Sequence, residues 1–294
     1  MTTITNKLSF WLKPSALQWW PILFGLAAMY APVYYRLATT FWSTDDQAHG
    51  PIILIVVLFI AWQKRDCLTG EIQGRLNPIS GWLMLLLGLL LFVFGRSQGV
   101  FTFELGSQIF VLVGILLITR GMFALQALWF PLLFLLFLIP LPGMLVDGMT
   151  GPLKQQVSEL AEMVLYGAGY PVARSGVMLT IGQYQLLVAD ACSGLHSMFS
   201  LSAMGLIYLY MMQYRSWIRN GVLLASLLPI AFVANTVRVI VLVLITYHFG
   251  DEVGQGFVHK FAGILLFIVS LLFLFSLDAL LDRVLPRPPR DKSK

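Results

Sequence analysis

From Met122 to Leu141 the chain runs twenty residues without one charged side chain. That property restricts the fold more than any other. A helix that crosses a bilayer needs about 20 predominantly apolar residues, and in hydrocarbon every backbone N–H and C=O must find its partner inside the segment. A second run, 261–281, carries a single acid. Across the chain 58% of residues are hydrophobic and 11% charged, with mean hydropathy +0.82, against roughly 25% charged in a soluble domain. A water-soluble globule of this composition has too little polar surface to cover its apolar side chains, so the bilayer is the solvent. The expected fold is an all-α polytopic membrane protein of about eight transmembrane helices, over 19–38, 50–63, 79–95, 103–119, 122–141, 194–212, 221–248 and 261–281. The second is short and extends outward through Gln47 to His49.

The formal charge is +5, yet no basic groove or aromatic–basic interleaving accompanies it, which excludes nucleic acid as a partner. The cations instead punctuate the ends of apolar segments. With both termini inside, thirteen Lys and Arg fall on inner segments and five (Arg36, Arg96, Lys154, Arg174, Lys260) on outer ones, so the termini are expected in the cytoplasm. Glu104, Asp147, Glu159, Glu162, Asp190, Asp251 and Glu252 then lie outside, together with Asp45 and Asp46. The first apolar run holds Trp19, Trp20 and Pro21 without a small-residue cleavage site, and reads as a retained span. The chain is expected to be one membrane-embedded domain over 1–294, with 283–294, rich in Arg and Pro, as a disordered cytoplasmic tail.

Residues 143–193 form the longest stretch outside the spans. Leu153, Val157, Leu160, Ala161, Val164 and Leu165 recur at helical spacing between Gly151 and Gly167, which predicts an amphipathic helix on the outer interface. Val177–Thr180 and Tyr184–Val188 flank Ile181-Gly182-Gln183 and predict a short hairpin between spans five and six.

Three residues on the last three spans carry reactive chemistry. Arg238 stands ten residues before His248 in the seventh span, about 15 Å into it. A cation there costs about 2.5–3.5 kcal/mol on insertion scales, which makes it a functional candidate. Asn235 lies one turn earlier on nearly the same face. The structural alternative for Arg238 is bonding to carbonyls freed near Pro229. Cys192 precedes the sixth span, where a helix N-terminus favours the thiolate; the alternative is a packing cysteine. His259 opens the eighth span and can take and return a proton near neutral pH, or act as an interfacial hydrogen-bonder. A thiolate, a proton shuttle and a positive charge for the oxyanion are what acyl transfer requires. Asp190 either orients a histidine or, as expected, caps the sixth helix. Cys67 falls on the inner side with no His in its loop, so it is a poor nucleophile, and its separation from Cys192 speaks against a disulfide. Asp45, Asp46 and His49 share a wet outer loop where carboxylates are usually solvated; neither metal nor cofactor is expected.

Ala191-Cys192-Ser193-Gly194-Leu195, Ala234-Asn235-Thr236-Val237-Arg238-Val239 and Gly256-Phe257-Val258-His259 resemble the three signature regions of the exosortase/archaeosortase family. Thr44 to Pro51 is similar to the outer loop before span two in bacterial members. The likeness runs over most of residues 20–281 and is nearest to the exosortase B group. The resemblance implies a thiol peptidase or transpeptidase of the bacterial inner membrane, with its active site toward the periplasm. Cys192 is then the nucleophile, His259 the acid/base and Arg238 the stabiliser of the oxyanion or thiolate. The implied substrates are secreted proteins with a C-terminal PEP-CTERM signal. They are resolved from a thioester by water or by an acceptor linked to exopolysaccharide production. Many members carry Arg shortly after the Cys-Ser-Gly motif, where this chain has His196. That residue lies one turn from Cys192 on the same helical face, so it either competes with His259 as base or anchors a neighbouring helix.

Two other readings stay open. One is a transporter with Arg238 and Asn235 in its pathway, although no repeated half supports it. The other is a polysaccharide-secretion scaffold without catalysis.

Overall fold

The computed structural model describes residues 19–43, 50–69, 76–140, 143–187, 194–212, 216–250 and 257–284. They fall into two compact units, Met1–Leu141 and Pro142–Lys294.

The first unit holds α1 (Trp20–Thr40), α2 (Gly50–Gln63), α3 (Pro78–Gln98), α4 (Phe101–Thr119), α5 (Met122–Ala127) and α6 (Trp129–Phe134), the last continued by a 3-10 turn, Leu135–Leu138. Pro78 starts α3 at a position where the missing N–H has no partner to lose. Gly99, at φ 67°, ends it by sending its N–H back to the Gly95 carbonyl. The tight hairpin so formed packs α3 on α4 almost backbone to backbone. Gly81, Gly88 and Gly95, each seven residues from the next, face α4. A Cβ on Gly88 would stand 2.8 Å from the Val111 nitrogen, and one on Gly95 2.5 Å from the Glu104 nitrogen. Small residues of this kind allow close helix contact where lipid offers no hydrophobic drive for association. The remaining face of α3 shows Trp82, Leu83, Leu86, Leu90 and Val93 to the surroundings. Between α1 and α4 runs a polar ladder: Tyr30 with Ser107 at 2.8 Å, Tyr34 with Gln108 at 2.8 Å, and Arg36 with Glu104 at 2.9 Å.

The expected fifth span, 122–141, is not one helix. It breaks at Leu128 between α5 and α6, then tightens into the 3-10 turn before Pro140. Pro131 supplies the reason: it has no N–H, and its ring crowds the carbonyl of Ala127, one turn back, where α5 ends.

The second unit holds α7 (Gly143–Gly167), three strands β1 (Val172–Ser175), β2 (Met178–Ile181) and β3 (Tyr184–Leu187), then α8 (Gly194–Met212), α9 (Trp217–Phe249) and α10 (Phe257–Val284). The strands form an antiparallel meander in the order β1-β2-β3, with Leu179 opposite Arg174 and Leu186. The expected hairpin is therefore extended by a strand, β1, whose Arg174 and flanking Pro171 and Gly176 mask its pattern. The amphipathic helix begins earlier than the expected Gly151, at Gly143, with Pro152 inside it. Arg283, placed in the expected tail, is helical within α10; residues 285–294 lie outside the described residues.

Two cores are strung along α9. Leu223, Leu227 and Ala231 pack with Leu201 of α8 and Leu274 of α10. Val239, Leu242 and Val243 pack with Val157, Ala161 and Leu165 of α7 and with Leu179, Ile181 and Leu186 of the sheet. Among the described residues, α3, α4 and α9 are long and apolar enough to cross a membrane, and Gly50–Gln63, Trp129–Leu138 and Leu201–Met212 are shorter apolar helices.

Candidate functional site

Three helices of the second unit, α8, α9 and α10, carry His196, Arg238 with Asn235, and His259. Their mutual direction is set by a polar clamp. Arg219, near the start of α9, donates from Nε to Asp278 Oδ1 at 2.9 Å and from Nη2 to the Asp278 carbonyl at 3.1 Å, and pairs through Nη1 with Asp282. Tyr208, near the end of α8, donates to the other Asp278 oxygen. The C-terminal end of α8, the N-terminal end of α9 and the C-terminal end of α10 therefore meet at one level, and the chain passes up and down between them. A Cβ on Gly205 would meet Leu227 Cδ2 at 2.5 Å, so α8 and α9 also approach closely above the clamp.

From that level the helices can be used as rulers. Arg238 stands nineteen residues beyond Arg219, and His259 nineteen residues before Asp278, about 28 Å in each case at 1.5 Å per residue. Gly194, the first residue of α8, stands fourteen residues before Tyr208, about 21 Å. The antiparallel run thus carries Arg238 and the beginnings of α8 and α10 toward the same end of the bundle. Both helix beginnings present the positive pole of their macrodipole there.

Arg238 and Asn235 are 6% and 5% exposed. Their helix bears no carboxylate from Ala225 to Phe249. Thr236, in the same turn, is also buried and donates to the Phe232 carbonyl at 3.0 Å. Pro229 does not account for Arg238. The carbonyl it frees belongs to Ala225, thirteen residues away, about 20 Å along the helix, and α9 is continuous through it. Immediately after Arg238, Val239 enters the core formed with α7 and the sheet. That layer wraps the end of α9: the Tyr170 ring meets Tyr247 edge-on at 5.6 Å, and its hydroxyl lies 3.4 Å from His248 Nε2.

Cys192 and Asp190 lie outside the described residues, as do Asp45, Asp46 and His49. His196 and His259 fall in the first turns of α8 and α10, with side chains outside what is described. Cys67, in the helical turn Asp66–Thr69, is a free thiol whose pKa burial pushes up, so it is mostly protonated at neutral pH.

The clamp itself escaped the reading of the sequence. Arg219 served there only as an inner charge, and Asp278 passed as one blemish in an apolar run. The rule that flags Arg238, that an ionisable group inside a span is costly, applies equally to Asp278.

The family model described as transmembrane exosortase matches residues 41–276. No curated protein and no solved structure matches the chain with significance.

Proposed function

The chain belongs to the transmembrane exosortase family, and on that premise we propose that it is a membrane cysteine transpeptidase acting on secreted proteins with a C-terminal PEP-CTERM sorting signal. The observation that supports this reading most is the burial of Arg238 with Asn235, at the end of the bundle where α8 and α10 begin.

In this mechanism the Cys192 thiolate attacks the scissile carbonyl carbon and forms the C–S bond. The carbonyl oxygen takes up the negative charge, and the Arg238 guanidinium stabilises it. As the tetrahedral adduct collapses the C–N bond breaks, and protonated His259 gives its proton to the leaving amine. The thioester is then attacked by an acceptor linked to exopolysaccharide production, or by water. Neutral His259 takes the acceptor's proton and the sulfur leaves as thiolate. Asn235 holds the polar seam beside Arg238, and Asp190 caps α8. His196 is the competing base.

The proposal includes the setting. The chain is a single inner-membrane domain of about eight spans, with the broken segment 122–141 as the fifth; the family match over residues 41–276 supports this. Both termini and the Arg219 clamp face the cytoplasm, and the site faces the periplasm.

Co-expression of a PEP-CTERM substrate with wild type and with Cys192→Ser tests the reading. Processed substrate is expected only with wild type, and unchanged processing in the variant defeats it. Trapping an acyl-enzyme on Cys192 excludes a transporter or a secretion scaffold. Loss of processing in His196→Ala but not in His259→Ala reassigns the base.

A further inference from the structure

Glu104, the fourth residue of α4, is fully buried, yet both of its oxygens are taken by arginines. Arg36 Nη1 reaches Oε2 at 2.9 Å and Arg96 Nη1 reaches Oε1 at 2.7 Å. The two guanidinium side chains remain 47% and 50% exposed. Each spends a single N–H on Glu104, out of the five that a guanidinium carries. Arg36 also lies over the Phe101 ring, 5.3 Å from its centroid, and Phe101 stacks on Phe41. Two planar cations are thus tied to one carboxylate, with a net charge of +1 and about half of each side chain exposed.

Their place in the fold indicates what they face. Arg36 is four residues from the end of α1, and Arg96 two residues from the end of α3. Within two turns of Arg96 along α3, and next to Glu104 on α4, Leu90, Val93, Phe94 and Phe103 are exposed. Apolar side chains give way to guanidinium groups within one or two turns, as expected where acyl chains give way to headgroups. A structural ion pair alone needs one cation per carboxylate; the second arginine leaves a surplus charge at that boundary.

We propose that Arg36 and Arg96 form a binding site for the phosphodiester of an anionic phospholipid, with Glu104 fixing the spacing of the two guanidinium groups. A phosphodiester carries one negative charge, which neutralises the surplus. Its two free oxygens accept paired N–H donors, the geometry in which Arg binds phosphate best. The headgroup lies over the guanidinium pair and the acyl chains run down along Val93 and Leu90. This site belongs to the first unit and does not depend on the catalytic reading.

The test uses the full chain, delipidated in detergent and titrated with phosphatidylglycerol, phosphatidylcholine or inorganic phosphate, with bound lipid counted by native mass spectrometry and the unfolding temperature followed in parallel. Wild type is expected to retain one phosphatidylglycerol, to be stabilised by it as linkage requires, and to respond weakly to phosphate alone. Arg36→Gln/Arg96→Gln should weaken retention by about tenfold or more. Arg36→Lys/Arg96→Lys keeps the charge and the tie to Glu104, guards against misfolding, and should bind between the two. Equal retention in wild type and the Gln variant overturns the proposal. So does stabilisation by free phosphate at concentrations as low as those of the lipid, which would assign the site to a soluble anion. Equal response to phosphatidylcholine also overturns it.

Discussion

Two buried arginines stand nineteen residues apart on the same helix and do different things. Arg219 is 2% exposed in its side chain and meets Asp278 and Asp282, with Tyr208 closing the same network. Arg238 is similarly buried, but the helix around it offers Asn235 and Thr236 instead of carboxylates. The first arginine is neutralised by its neighbours and joins three helices. The second has Asn235 and Thr236 buried beside it in its own helix. Burial alone therefore does not say what a cation does; under the proposed function Arg219 is structural and Arg238 catalytic.

This contrast can be broken by substitution. Arg238→Ala should lower substrate processing by about 10²–10³-fold or more, the usual cost of removing an oxyanion donor, while the protein accumulates and unfolds near the wild-type temperature. Arg238→Lys should recover part of that loss, since it restores charge but not the planar fork. A fall in accumulation that matches the fall in activity would put Arg238 with Arg219 instead. Arg219→Ala should show the reverse pattern, losing about 3–5 kcal/mol because Asp278 is left buried and uncompensated, with activity per folded molecule little changed. Replacing Arg219, Asp278 and Asp282 together by Met, Leu and Leu should restore most of that stability, measured by thermal unfolding in detergent. Gly88→Leu, which drives a side chain into the Val111 backbone, should cost about 1–3 kcal/mol and leave the second unit's site intact. The smallest effect is at Cys67. Since its pKa is raised by burial, maleimide labelling should be slow at neutral pH and accelerate as pH rises and the thiolate forms.

The helices were legible in the sequence because a chain in hydrocarbon has few alternatives. Seven expected spans coincide with helices to within a few residues, and α7 was visible in its apolar stripe. The fifth expected span, 122–141, failed because Pro131 was outweighed by the surrounding leucines, although a proline costs an interior helix its bond wherever it stands. The start of α7 was hidden by Gly143, Gly148, Gly151 and Pro152, residues that read locally as loop. β1 was hidden because its alternation is short and its outward positions are polar; only pairing with Leu179 and Ile181 makes it a strand. Arg238 and Asn235 were singled out because a polar residue in an apolar run stands out, and both are buried. The partners that decide Arg219's role come from 59 and 63 residues away, a separation that local pattern does not encode.

The ruler-like run from Arg219 to Arg238 bears on how such a chain can change over time. One residue added or removed between them would turn Arg238 by about 100° and shift it by about 1.5 Å. It would swing from the interior of the bundle toward lipid while Arg219 stayed clamped. The same holds between His259 and Asp278 on α10. Variation in length is thus confined to the connections, such as the segment between α9 and α10. The helices themselves can diverge only by replacement, and an alignment of related chains should show gap-free columns across both stretches however far their residues have drifted.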